Sequence, residues 1–318
     1  MSSQAKGTAP DREFEKIKAI IQKNTEKELI ELMCWSYNEW VKRSSGNTIK
    51  EILSFYNKLN FWGKLDPQEN NIEMIEQRAD ILKNKWDSIE KLYNRLEDYR
   101  SKYVLLSVLF FWITFSKEKI HNVKEMCFKS YFDMDLLHCN GQEVMVDLGA
   151  CQGDTIEEYI ETYGEDCFKK IYTYEIVREN VKVLQKKFEN NKNIVIRPVG
   201  VSKENGTMYI NNNGYIDAQF LGNTGDQEVE IVALDCDITE KITLLKADIE
   251  GAEKDAILGA QEHIRNDRPK LALSIYHSNA DLVDIFELIE KIQPGYRFFL
   301  RYNGRGDFPT DYILIGLP

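Results

Sequence analysis

The stretch VDLGACQGDT, residues 146–155, sets a carboxylate (Asp147), two glycines (Gly149 and Gly153) and a second carboxylate (Asp154) directly after a run of β-formers. VMVD reads as a strand, and GDTIEEYI opens a helix with Asp154 or Thr155 placed to cap it. The loop between them, with Ala150 at its centre, falls at the carboxyl end of a strand, where ligands of open α/β sheets bind. Gly149 and Gly153 carry no Cβ, so the backbone there can turn tightly and come close to a ligand. Their spacing, G-x-x-x-G, is neither the dinucleotide fingerprint G-x-G-x-x-G nor a phosphate loop ending in G-K-[ST].

A carboxylate at the strand end suits a cation better than a phosphate. About 20 residues after Gly153 the next strand, IYTYE, ends in Glu175, a position from which a carboxylate can accept both hydroxyls of a ribose. A ligand with an ammonium group and an adenosine ribose but no pyrophosphate is S-adenosylmethionine. Taken singly, Asp147 could cap a turn and Glu175 could be a solvated surface acid. Together with the two glycines they point to a cofactor site.

The second half of the chain has the rhythm that such a site needs. VMVDLG (144–149), KIYTYEI (170–176), NIVIRPVGV (193–201), GTMYIN (206–211), VEIVALD (229–235), TLLKADI (243–249), KLALSIYH (270–277), YRFFLRY (296–302) and YILIGL (312–317) are short apolar runs, several separated by helix-length amphipathic segments. This alternation predicts a doubly wound, mostly parallel sheet. The last two runs are joined by NGRGDFPTD (303–311) without a helix and predict an antiparallel hairpin at one edge. The RGD lies in that turn and carries no adhesion meaning in a chain without an export signal.

Residues 1–138 repeat their apolar side chains at three and four instead, and read as a helical domain before a second domain at 139–318. Ile72, Ile75, Ala79, Leu82, Trp86, Ile89, Tyr93 and Leu96 predict one long helix, either a coiled-coil strand or a helix packed in its own domain. NTIKEILSFYNKLNFW (47–62) is another helix, set off by KLDPQENN (64–71). MSSQAKGTAP (1–10) reads as a disordered tail, not a signal peptide.

Composition removes whole classes of function. A net charge of −11 with no basic arm argues against nucleic acid and against anionic membranes. The six cysteines form no C-x-x-C pair and fit a reducing cytoplasm. The most apolar run, YVLLSVLFFWITF (103–115), is about 13 residues against the roughly 20 that span a bilayer, so no transmembrane segment is expected.

VDLGACQGDT, then YTYE, then LLKADIEGAE (244–253), resembles the FkbM-type class I methyltransferases. That family's pattern runs V-D-x-G-A-x-x-G-x-T, an acidic strand end, then K-x-D-[IV]-E-G-x-E. The match includes Asp147, Gly149, Ala150, Gly153, Thr155, Glu175, Lys246, Asp248, Glu250, Gly251 and Glu253. The resemblance implies a seven-stranded methyltransferase sheet and methyl transfer from S-adenosylmethionine, usually to a hydroxyl of a sugar or another small natural product.

Such a transfer is an in-line displacement, so the acceptor must be held close and aligned, and a hydroxyl acceptor needs a base. TLLKAD sets Asp248 at the edge that carries the glycine loop, with Glu250 and Glu253 expected on one face of the following helix turn. KLALSIYH brings His277 to the end of the neighbouring strand. His277 is the expected general base, with Asp248 or Glu250 orienting it or the acceptor. The plainer alternative for His277 is a hydrogen-bonded structural histidine. The same three residues could gather a divalent ion, but no further ligand is identifiable and no metal is expected. Lys246 either faces away from the ligand or pairs with a neighbouring carboxylate. NNNGYIDAQF (211–220) could line the adenine or acceptor pocket, or be an ordinary loop. Two alternatives stay open: an amine acceptor, and a scaffold that kept the fold without turnover. The helical half could serve as a lid, as an acceptor-recognition domain or as the arm of a homodimer.

Overall fold

The computed structural model describes residues 7–44, 46–59, 61–66, 69–210, 221–222, 224–225, 227–304 and 308–318. The expectations for the first six residues, for NNNGYIDAQF and for the RGD turn therefore lie outside the described residues. The chain divides into two compact units. One comprises Met1–Glu125, Tyr276–Val283 and Phe299–Tyr312, the other Met126–Ile275, Asp284–Phe298 and Ile313–Pro318.

The first unit holds helices α1 (Ala9–Lys23), α2 (Glu26–Arg43), α3 (Gly46–Leu59), α4 (Glu73–Asn84), α5 (Trp86–Arg95), α6 (Tyr99–Thr114) and α7 (Glu118–Asn122). Thr25 starts α2 with a reciprocal capping box: its hydroxyl accepts from the Glu28 N–H, and Glu28 returns to the Thr25 N–H. The apolar stripe from Ile75 to Leu96 is buried as expected. It does not lie on one helix. Lys85, at φ −117° and ψ 23°, leaves helical geometry and separates α4 from α5. Phe14 of α1 stacks on Trp86 and Tyr93 of α5, with ring centroids 5.1 and 4.2 Å apart. The run 103–115 forms most of α6 and is largely buried. Among the described residues, no helix is long and apolar enough to cross a membrane.

The remaining elements are β1 (Val144–Leu148), α8 (Asp154–Tyr163), β2 (Lys170–Tyr174), α9 (Arg178–Lys187), β3 (Ile194–Arg197), β4 (Gly200–Val201), β5 (Gly206–Ile210), β6 (Leu221–Gly222), β7 (Gln227–Val232), α10 (Leu234–Asp237), β8 (Leu244–Ala247), α11 (Glu253–Leu258), α12 (Gln261–Asn266), β9 (Lys270–Ser274), α13 (Asp281–Ile292), β10 (Arg297–Tyr302) and β11 (Tyr312–Leu317). A seven-stranded sheet runs β10-β11-β9-β8-β1-β2-β3, closed at one edge by the antiparallel C-terminal hairpin. β3, β2, β1, β8 and β9 are parallel neighbours, which explains why β1 and β8 are buried along their whole length. The segments around 206–211 and 229–235 do not join it. They form a second sheet, β4-β7-β5-β6, built on the antiparallel pairing of β5 with β7. Because β1, β2, β8 and β9 run parallel, the residues after Leu148, Tyr174, Ala247 and Ser274 leave the sheet at one edge.

Candidate functional site

The loop from Gly149 to Gly153 engages four of its backbone donors inside the protein. Gly149 N–H and Ala150 N–H both donate to the Tyr174 carbonyl at 3.1 Å, and Gly153 N–H donates to Ala150 at 2.7 Å. Cys151 N–H donates to Glu175 Oε2 at 2.8 Å, while Glu175 Oε1 accepts from Val177 N–H at 2.7 Å. Glu175 thus clasps the loop to the end of β2. Burial pushes its carboxyl above the usual carboxylate range, and the N–H groups of Val177 and Cys151 pull the other way.

The two glycines are needed for protein packing. Gly149 has φ +76°, and a Cβ there would lie 1.9 Å from the Asp248 carbonyl oxygen, so the β1 and β8 loops touch backbone to side-chain space. Gly153 has φ +86°, and its Cβ would collide with Phe188 and Leu184 of the α9 region. Gly153 is also the N-cap of α8, with no side-chain cap bond. The expectation that Asp154 or Thr155 caps this helix is therefore corrected. Asp154 is an exposed first-turn residue, where its charge complements the helix dipole, and Thr155 is buried behind it. Ala150 is fully buried.

Asp147 is corrected as well. It has no exposed surface and so no face to offer a cationic ligand. Its partner is Lys246 of the adjacent β8, whose Nζ lies 3.0 Å from Oδ1 and also donates to the carbonyls of Leu148 (3.2 Å) and Gly149 (3.0 Å). Burial alone would push the Lys246 ammonium down, but Asp147 and Asp248 outweigh it and hold its pKa above the usual lysine value. The pair fixes where β1 ends and its loop begins.

Next to that pair, Tyr131 donates its phenolic hydrogen to Asp248 Oδ2 at 2.6 Å and shares a 3.3 Å hydrogen bond with Ser274 Oγ, while the Lys246 ammonium lies 5.0 Å from its ring centre. Asp248 is partly exposed. Glu250 is not on the helix that follows. It precedes α11 in the left-handed region at φ +56°, beside Gly251 at φ +98°, a costly conformation for a glutamate. Glu253 holds that loop in place: fully buried, it accepts from Ile249 N–H at 2.8 Å and Gly251 N–H at 3.0 Å.

His277 falls in the first unit, three residues beyond the end of β9. It is 2 % exposed, with its ring 5.0 Å from Phe61 and 4.1 Å from Tyr276, centre to centre.

Residues 147–298 match the family model of the methyltransferase FkbM domain. The chain carries a methyltransferase FkbM domain. Its model resembles the crystal structure of methyltransferase FkbM from Methylobacillus flagellatus KT, with 28 % identity and a TM-score of 0.63 over 75 % of this chain. The chain spans 60 % of that protein's length. A Streptococcus mutans methyltransferase in complex with SAH aligns at 13 % identity and a TM-score of 0.37, covering 56 % of this chain and 90 % of that one. Fibrillarin from Aeropyrum pernix, with S-adenosyl-L-methionine natively bound, aligns at 11 % identity and 0.38, covering 59 % and 73 %. No curated protein sequence matches the chain.

The chemistry of the strand edge can be weighed against the kinds of cofactor that open α/β sheets hold. The N–H groups of Gly149, Ala150, Cys151 and Gly153 are engaged within the protein, so these four do not form a phosphate cradle. What the edge presents is carboxylate oxygen. Glu175, 7 % exposed, accepts from Val177 N–H on Oε1 and Cys151 N–H on Oε2, with further hydrogen bonds from Ile176 and Asn180. Two contributors escape a reading of motifs alone: Tyr131 lies in no pattern, and Ser274 is an interior residue of a strand run. Of the two expectations for Lys246, the structure has the pairing with a neighbouring carboxylate, that of Asp147.

Proposed function

We propose that this protein transfers the methyl group of S-adenosylmethionine to a hydroxyl of a sugar, a polysaccharide precursor or another small natural product. The observation that carries this reading is the strand edge of the FkbM-like region, where Glu175 and Asp248 stand beside the glycine loop as carboxylates for hydroxyl and cationic groups. In it Asp147, Gly149, Ala150, Gly153, Asp154 and Thr155 form and support the cofactor loop, and Glu175 accepts the ribose diol. The cofactor, when bound, supplies an electrophilic methyl on a sulfonium.

The protein's own part is positioning and proton removal. Asp248, tethered through Tyr131 to Ser274, is a preset acceptor for an incoming hydroxyl. Glu250, held in its strained conformation by the loop that Glu253 ties down, is the second carboxylate for orienting the acceptor. His277, three residues beyond β9, is the general base.

The test is release of S-adenosylhomocysteine from S-adenosylmethionine with panels of sugars and of primary amines. Turnover with a hydroxyl acceptor, lost in His277→Gln, supports the reading. Turnover confined to amines overturns the acceptor class. The helical half is also proposed to form a homodimer: Trp35 on α2 is 62 % exposed, a large apolar side chain for a free surface. Light scattering on the purified chain gives a dimer mass if so, and a monomer mass if not.

A further inference from the structure

The segment that carries His277 is gripped by the helices of the first unit. Trp62 donates its indole N–H to the Tyr276 carbonyl at 2.6 Å. The Trp62 carbonyl in turn accepts from Asn279 Nδ2 at 2.9 Å, and the same amide nitrogen donates to Gln77 Oε1 at 2.9 Å. Arg78 Nε donates to Asn279 Oδ1 at 3.0 Å. Asn279 is 2 % exposed and uses both ends of its amide, which fixes its orientation. Between the two anchored residues stands His277, its imidazole against Phe61.

Arg78 is an unusual choice for such a clamp. It is 1 % exposed and makes no ion pair among the described residues; its guanidinium lies 5.5 Å from the Trp62 ring centre and 5.4 Å from that of Trp112. Burying a guanidinium without a carboxylate costs stability, which the two indole faces only partly offset. A purely packing role would be met by an apolar side chain. What the arginine adds is a directed donor to Asn279.

We infer that Arg78, Asn279 and Trp62 are positioning residues that set the orientation of the His277 imidazole. This rests on the proposed role of His277, but its test does not require turnover. The side chains of the chain's four histidines are labelled with carbon-13, and the His277 ring signal is assigned by its loss in His277→Gln. The wild-type signal is expected to be displaced by the neighbouring rings and to show cross-relaxation with Phe61. In Asn279→Ala, and in Trp62→Phe, which keeps an aromatic ring but loses the N–H donor together with part of the indole, the displacement is expected to shrink and the Phe61 contact to be lost, while calorimetric affinity for S-adenosylmethionine stays within twofold. Asn279→Gln, which lengthens the side chain but keeps its amide, is expected to fall between. An unchanged His277 signal in Trp62→Phe overturns the inference whatever Asn279→Ala does to folding. If wild type fails to bind S-adenosylmethionine, the functional reading falls while the His277 signal still decides the clamp.

Discussion

The two units each bury a cation almost completely, and they do it in opposite ways. In the sheet unit Lys246 has the Asp147 carboxylate at 3.0 Å and two backbone carbonyls as well. In the helical unit Arg78 has one side-chain amide and two indole faces. The contrast follows from the ions. An ammonium is compact and strongly hydrated, so leaving water requires a full opposite charge; a guanidinium is flat and weakly hydrated, and aromatic faces can replace part of its solvation. The pKa directions agree: carboxylates hold Lys246 above its usual value, and burial pushes Arg78 down to about 10, still charged at neutral pH. One device fixes the end of β1 and the glycine loop after it, the other the chain around His277.

If this contrast is right, removing the two cations has unequal consequences. Lys246→Met leaves Asp147 buried and unpaired, and is expected to cost about 3–5 kcal/mol in urea unfolding. The double variant Lys246→Met, Asp147→Leu is expected to be more stable than Lys246→Met alone, since it leaves no orphan charge. Additive losses would break the pairing argument. Arg78→Met leaves no buried carboxylate behind, only the Asn279 oxygen short of a donor, and is expected to cost about 1–3 kcal/mol. Equal costs for Arg78→Met and Lys246→Met would erase the distinction.

The smallest effect belongs to a surface cluster, where Glu240 meets Lys170, Lys169 and the Tyr172 hydroxyl. Hydrogen bonds from Lys170 and Tyr172 lower its pKa from 4.5 to about 2. A depressed carboxylate stabilises the fold above its unfolded pKa, and that contribution fades as pH falls from about 4.5 towards about 2. Because the group is partly exposed and screened, Glu240→Gln is expected to cost under about 1 kcal/mol at pH 7 and close to nothing at pH 2, read by unfolding at both pH values.

Much of the fold was legible in the chain. The strand runs around Asp147, Glu175 and Asp248 lie where the alternation predicted, because fully buried parallel strands leave continuous apolar runs. The glycine loop and the D-I-E-G-A-E segment announced themselves by residue type. Their detailed use did not. Gly149 is glycine because the Asp248 carbonyl is in its way, and Asp147 faces Lys246; both are facts of register between strands far apart in sequence. The local pattern could not show that Lys85 breaks the long stripe into two helices, since a stripe continues across a break that keeps its phase. Nor could it separate β5 and β7 from the main sheet, because a half-exposed strand has the same alternation in either one. Glu250 was read as helical from its spacing to Glu253, but Glu253 spends both oxygens on the Ile249 and Gly251 amides and starts the helix only at itself.

The central claim is that the loop clasped by Glu175 holds S-adenosylmethionine. Calorimetric titration of that compound into wild type and into Glu175→Ala tests it most directly. Glu175 is the cleaner position to alter, because changing Asp147 would strand Lys246 without its counter-charge. The account predicts micromolar binding to wild type and at least a tenfold loss in the variant. No binding to wild type, or equal affinity in the two proteins, would contradict it.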